Sequence, residues 1–239
     1  GYYTTGDNLD FTVHFSEAIT VTGIPAVPVT IGANTVNASY VSGSGSSGIV
    51  FRHTVQAGEQ DLDGISLGNA IILDGGTLRD AAGNDAALTL NNVENTTDVR
   101  VYTAVPTVIL SSTAASPVNG AFSVMVTFSE AVTGFAAGDI TASNATVSNL
   151  QTADNITYTM LVTPTTDGAV SVEVPAGVAV NIGNNGNTAS DMLEIDYDGT
   201  APAAPSAPAA EAGDTEVTLE WAANTEPDLV SYRVYGGAA

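Results

Sequence analysis

The sequence predicts an all-β chain of tandem antiparallel β-sandwiches ending in an incomplete third unit, on three observations. The phrase Phe15-Ser16-Glu17-Ala18-Ile19-Thr20 returns as Phe128-Ser129-Glu130-Ala131-Val132-Thr133, each time closing an alternating strand. Period-2 alternation dominates the chain, without a convincing helical period. Clusters of Gly, Asn, Asp and Pro separate these short runs, which is the punctuation of sandwiches.

Taken in order, Phe11, Val13 and Phe15 share one face and Thr12, His14 and Ser16 the other, as a half-buried strand requires. Gly43-Ser44-Gly45-Ser46-Ser47-Gly48 reads as a flexible hairpin tip. Its glycine spacing matches a dinucleotide-binding loop, but the strand Ile49 to Val55 follows where a phosphate site needs a helix N-terminus. His53 shares a face with Phe51 and Val55 and is expected in the core, with His14 outward. Asp80-Ala81-Ala82-Gly83-Asn84 reads as a tight turn, since Asp and Asn bond their own backbone and glycine accepts positive φ. Asn181 to Asn185 occupies the corresponding place in the second unit.

Phe122, Val124, Val126 and Phe128 repeat the strand scheme, and Tyr158 to Val162 and Val170 to Val174 add further strands. A fresh start near Pro106 divides a first sandwich, 1–103, from a second, 104–199. Pro202, Pro205 and Pro208 among alanines make 200–212 a semi-rigid extended linker that does not enter a sheet interior. In 213–239, Val217, Leu219 and Trp221 alternate inward and Tyr232 and Val234 begin another strand. That length is too short to close a sandwich of about 100 residues.

The 239 residues carry 26 acidic side chains against four arginines and no lysine, a net charge of -22. Such a balance excludes nucleic acid and anionic membrane surfaces as partners and favours cations. Without cysteine there is neither a disulfide nor a thiolate metal site. No run reaches the roughly 20 apolar residues of a membrane span, so no membrane insertion is expected. Gly1 opens the chain without an initiator methionine or signal peptide, which reads as an internal piece of something longer. The Thr, Asn, Ser, Gly, Ala and Val richness suits a bacterial surface protein in salty water.

Chemistry is sparse. No nucleophile elbow is present and no third group stands near either histidine in sequence, so the chain is read as no enzyme. Glu59-Gln60-Asp61-Leu62-Asp63-Gly64 places oxygen ligands at alternate positions before a glycine, like the first half of a calcium loop. Ala70 stands where the closing glutamate would be. Asp196 and Asp198 flank Tyr197 on one strand face and can clamp a domain end through calcium. Glu59, Asp61, Asp63, Asp196 and Asp198 are therefore the candidate metal ligands, with calcium the cofactor. Glu17 and Glu130 follow strand ends in both units, where a carboxylate can bond a neighbouring loop's amides or join a cation at a domain junction. The Asn-x-Ser/Thr triplets at Asn37, Asn95, Asn144 and Asn155 are ascribed to chance in an Asn- and Thr-rich chain.

These residues carry a resemblance. Asp10 to Ala18, Tyr40 to Gly45, Val55 to Gly58 and Asp80 to Asn84 resemble the tandem immunoglobulin-like repeats of very large bacterial surface proteins. Val126 to Ala131, Gly138 to Thr141 and Pro175 to Val178 resemble a related bacterial Ig-like type. Thr218 to Trp221, Asn224 to Asp228 and Ser231 to Tyr235 are similar to the front half of a fibronectin type III domain. Such repeats begin with an extended strand before the turn that Tyr3-Thr4-Thr5-Gly6-Asp7 makes here, so the first sandwich is expected to lack its opening strand.

The resemblance implies a non-catalytic stalk or spacer of an extracellular or cell-surface adhesin-like protein, and the acidic turns add calcium as the ion that stiffens it. Its partners are neighbouring domains of the parent chain, with any surface protein or glycan ligand held elsewhere in that parent. Three alternatives stand beside this reading: accessory domains of a secreted multidomain hydrolase, a carbohydrate- or protein-binding module, and a filament subunit self-associating by strand addition.

Overall fold

The computed structural model describes residues 1–225 and 229–235. Part of the motif running from Asn224 to Asp228, residues 226–228, lies outside the described residues, as do residues 236–239.

The first sandwich uses β1 (Tyr2–Tyr3), β2 (Asn8–Thr22), β3 (Ala26–Ile31), β4 (Asn34–Ser42), β5 (Ser46–Thr54), β6 (Gln60–Asp61), β7 (Ser66–Leu67), β8 (Thr77–Arg79) and β9 (Arg100–Tyr102). They form a six-stranded sheet in the order β7-β3-β4-β5-β2-β8 and a three-stranded sheet in the order β1-β9-β6. Alternation sets the faces: Val27, Val29 and Ile31 of β3, Ile49 and Phe51 of β5 and Val101 of β9 meet in one core. The long β2 makes a corner. Its register against β5 breaks between His14 and Ile19, after which Thr20 to Thr22 pair with β8. The repeated Phe-Ser-Glu-Ala phrase therefore sits at a bend.

The tip between β4 and β5 is the hairpin turn expected, and it is tied down. The Gly45 N–H donates to the Ile19 carbonyl at 2.8 Å and the Val21 N–H to Ser44 Oγ at 2.9 Å. Gly43 has φ +105, and a Cβ there would lie 2.1 Å from the Gly48 carbonyl oxygen. Only glycine fits that approach.

The second sandwich contains β10 (Val108–Ser111), β11 (Phe122–Phe128), a 3₁₀ turn at Ala137–Asp139, β12 (Thr141–Ser143), β13 (Ala145–Thr152), β14 (Thr157–Pro164), β15 (Gly168–Glu173) and β16 (Leu193–Tyr197). Its sheets run β10-β11-β14-β13 and β12-β15-β16. Phe122, Val124, Val126 and Phe128 of β11 all point into its core, as the alternation predicts. Phe128, Phe135 and Tyr158 pack edge to face with ring centroids 5.1 to 5.8 Å apart, a geometry that adds to their burial. No residue of this core belongs to the first.

Beyond Tyr197 the structure corrects the expected linker. β17 (Ser206–Ala212) occupies most of its second half and pairs antiparallel with β18 (Val217–Ala222). Pro208 is accommodated because the register breaks between Ser206 and Ala209, where a missing N–H costs no ladder bond. Val217 and Leu219 are exposed rather than inward. Trp221 finds cover from Tyr232, at 5.2 Å between centroids. Residues 231–235 carry no strand, in contrast to the expectation for Tyr232 and Val234.

Candidate functional site

The acidic turn after β5 is organised by protein donors. Asp61 is 6% exposed. Its Oδ2 accepts the Gly32 N–H at 2.7 Å and its Oδ1 the Gly64 N–H at 2.8 Å. Glu59 turns the other way: both carboxylate oxygens lie about the His53 Nε2, at 3.0 and 2.9 Å, and Oε2 also accepts the Gln56 N–H. Asp63 is exposed. The structure thus does not bring Glu59, Asp61 and Asp63 together, and two of them are spent on other partners. His53 is half-buried with an acid beside it, where the sequence showed none.

Asp196 and Asp198 project from the end of β16. Asp196 Oδ2 lies 3.4 Å from Ser116 Oγ, and Asp198 Oδ1 accepts the Thr200 N–H at 3.0 Å. Among the described residues no group of three or more His, Cys, Asp or Glu side chains is gathered to hold a metal ion.

Asp61→Ala is expected to destabilise the first sandwich by about 3 kcal/mol, because two partly buried N–H groups lose a charged acceptor. Thermal unfolding should show the same loss in calcium and in chelator at fixed ionic strength. A loss confined to calcium would mean that the carboxylate serves an ion rather than the backbone.

The densest polar constellation lies between the two cores. β9 ends in Tyr102, and the next residue is pinned to the first sandwich: Thr103 Oγ1 donates to the Glu59 carbonyl at 2.8 Å and accepts the Gly58 N–H at 3.0 Å. Pro106 already belongs to the second, its carbonyl accepting the Thr188 N–H at 2.9 Å. Between these anchors the loop Asn181 to Asn185 grips the chain. Asn185 Nδ2 donates to the Tyr102 carbonyl and Asn181 Nδ2 to the Ala104 carbonyl, each at 2.8 Å.

Glu130, from the repeated phrase, closes the arrangement. Its Oε2 accepts the Tyr102 hydroxyl at 2.6 Å and its Oε1 the Asn181 amide at 3.1 Å. The hydrogen bond to the Glu130 carboxylate, with burial, pushes the Tyr102 phenol up to about 12, since ionising would give up that bond and leave two anions together. Thr4 Oγ1 reaches Asn185 Oδ1 from the first sandwich. The loop is pre-shaped, because Asn181 Oδ1 accepts the N–H groups of Gly183 and Asn185 at 3.0 Å each. Gly183 lies against Tyr102, where a Cβ would meet the Tyr102 carbonyl oxygen at 2.9 Å.

The first sandwich contains the same turn. Asp80 donates its N–H to the Asn84 carbonyl as Asn181 does to Asn185, at 3.0 and 3.1 Å. Thr20 pairs with Arg79 as Thr133 bridges Val180. Asp80 accepts both the backbone and side-chain N–H of Asn84, which lower its pKa. The turn expected at Asp80 to Asn84 is therefore present. It lacks the donor that Asn181 supplies, because a carboxylate cannot donate.

Chemically, this constellation holds and orients two bodies. The sequence marked Glu130 and the 181–185 turn separately, and Thr4 only as part of the turn from Tyr3 to Asp7; Tyr102 it did not mark. Among the described residues no helix is long and apolar enough to cross a membrane.

A comparison with curated proteins finds no match. Against protein-family models, the stretch from Tyr102 to Tyr197, which contains Glu130, Asn181, Asn185 and strands β10 to β16, matches the bacterial Ig-like domain family over residues 102–197.

Proposed function

We propose that the chain is a non-catalytic spacer from the stalk of a bacterial extracellular or cell-surface adhesin-like protein, built of tandem Ig-like units with a fibronectin type III-like segment after them. The observation that carries this reading is the junction: Tyr102, Glu130, Asn181 and Asn185 hold the last strand of one sandwich in the loops of the next. Hydrogen bonds at both anchors leave little linker free to swivel, and interfaces so tied resist the domain motion that a flexible connection permits. The net charge of -22 adds repulsion along such an array.

Small-angle scattering of the whole chain tests the reading. An extended particle with a fixed distance between the two sandwiches is expected, and a compact globule would sink the spacer. So would ester, glycoside or peptide turnover abolished by a single acidic or serine substitution. Calcium enters the proposal at Asp196 and Asp198, and the same curves in calcium and in chelator decide it. Stiffening that is lost in Asp198→Asn adds the ion, and superimposable curves remove it.

A further inference from the structure

The four-stranded sheet of the second sandwich, β10-β11-β14-β13, contains no charged residue in any of its strands. Every other sheet among the described residues contains at least one: Asp10 in the six-stranded sheet, Asp61 in β6, Glu194 in β16 and Glu220 in β18. In a chain with 26 acidic side chains, one face has been left neutral.

That face is not merely polar. Its outward positions are serine, threonine and glutamine, crossed by three apolar side chains. Met125 lies opposite Ser111 on one side and Thr159 on the other, and the same registers set Ile109 and Leu161 diagonally about it. Such diagonals are within reach of long side chains. Ile109 is 67% and Met125 44% exposed, and Leu161 is half-buried, so an apolar stripe runs over three strands towards solvent.

We propose that this neutral face joins two copies of the chain side by side, about a two-fold that lays each stripe on the other. Charge selects the occupant. A basic partner is drawn to the acids elsewhere, such as Glu173, Glu194 and Asp196 on the opposite sheet of the same sandwich, and gains nothing from a neutral patch. A partner that itself carries -22 is repelled by those surfaces and can approach only here. A second copy is such a partner, and a two-fold interface needs only one self-complementary patch.

The patch spans roughly 20 Å by 20 Å from strand spacing and rise, about 400 Å² per chain, half of the roughly 800 Å² that each partner buries in a stable complex. Pairing of isolated chains is therefore weak. It should strengthen with salt, because screening removes the repulsion between the acidic remainders while leaving apolar contact intact. The inference goes beyond the spacer reading and does not rest on it, since a chain of either shape presents this face.

Sedimentation equilibrium of the full chain, from micromolar to millimolar concentration and at low and high sodium chloride, tests the proposal. A monomer–dimer equilibrium that tightens with salt is expected. Ile109→Asp and Met125→Asp, made separately at exposed positions, should each weaken it by about a hundredfold, as like charges brought face to face do, with the unfolding temperature of the second sandwich unchanged. Ile24→Asp, at an isoleucine 65% exposed in the first sandwich, should leave the dimer as it is. A monomer under all conditions overturns the proposal, as does a dimer that salt dissolves or that both face variants retain. A monomer whose Met125 methyl signal shifts only on adding a soluble polysaccharide would give the face to a glycan, and overturns it too.

Discussion

Replacing Phe51 by alanine is expected to cost the first sandwich about 3–5 kcal/mol, the usual loss for emptying a buried aromatic site, while the second keeps its own transition. Phe51 is fully buried at the centre of β5, flanked by Phe11 and Tyr40 across the two ladders and touching the Tyr40 ring edge on at 6.5 Å. Since the two cores share no residue, the cavity should be felt on one side of Tyr102 only. Calorimetry should then resolve two transitions, with amide exchange accelerating across β2 to β9 and remaining slow in β11 and β14. Phe128→Ala should give the mirror image, aggravated by the loss of its contacts with Phe135 and Tyr158. One shared transition that falls as a whole in both variants would show that the junction fuses the sandwiches into a single cooperative unit.

What was legible in the sequence was local. Alternation in Phe122 to Phe128 dictates which side chains reach the core, because successive Cβ atoms on a strand point to opposite faces. The Asp80 turn was readable for the same reason, its bonds spanning four residues. What stayed hidden depends on partners brought from afar. Tyr102 and Asn185 meet across a separation of 83 residues, and no spacing rule encodes that. Asp61 looked like a ligand because its neighbours alternate in acidity, yet Gly32 from a different hairpin claims one of its oxygens. β17 was obscured by Pro208, which is hostile to a ladder except at the register break where it falls.

Removing the Glu130 carboxylate should uncouple the sandwiches without unfolding either. In Glu130→Ala the Tyr102 hydroxyl and the Asn181 amide both lose their charged acceptor, and hydrogen bonds of that class contribute about 1.5–3 kcal/mol each. Asn185→Ala removes the hold on the Tyr102 carbonyl, and Gly183→Ala drives a methyl group against the same atom. All three should broaden the distribution of distances between spin labels placed on β5 and β14, while each sandwich melts as in the parent chain. Alkaline titration supplies a second reading of the same contact. The Tyr102 phenol stands above its ordinary value of 10.0, at about 12. The folded junction therefore binds that proton more tightly than the open one, and stability falls with pH wherever the folded state holds more protons. The coupling should be complete below about pH 10 and lost as pH rises through about 12. Tyr102→Phe should show weaker coupling at neutral pH and no such alkaline decline. If that variant loses coupling with the parent's pH profile, another group governs the junction, and Glu130 does not hold it through Tyr102.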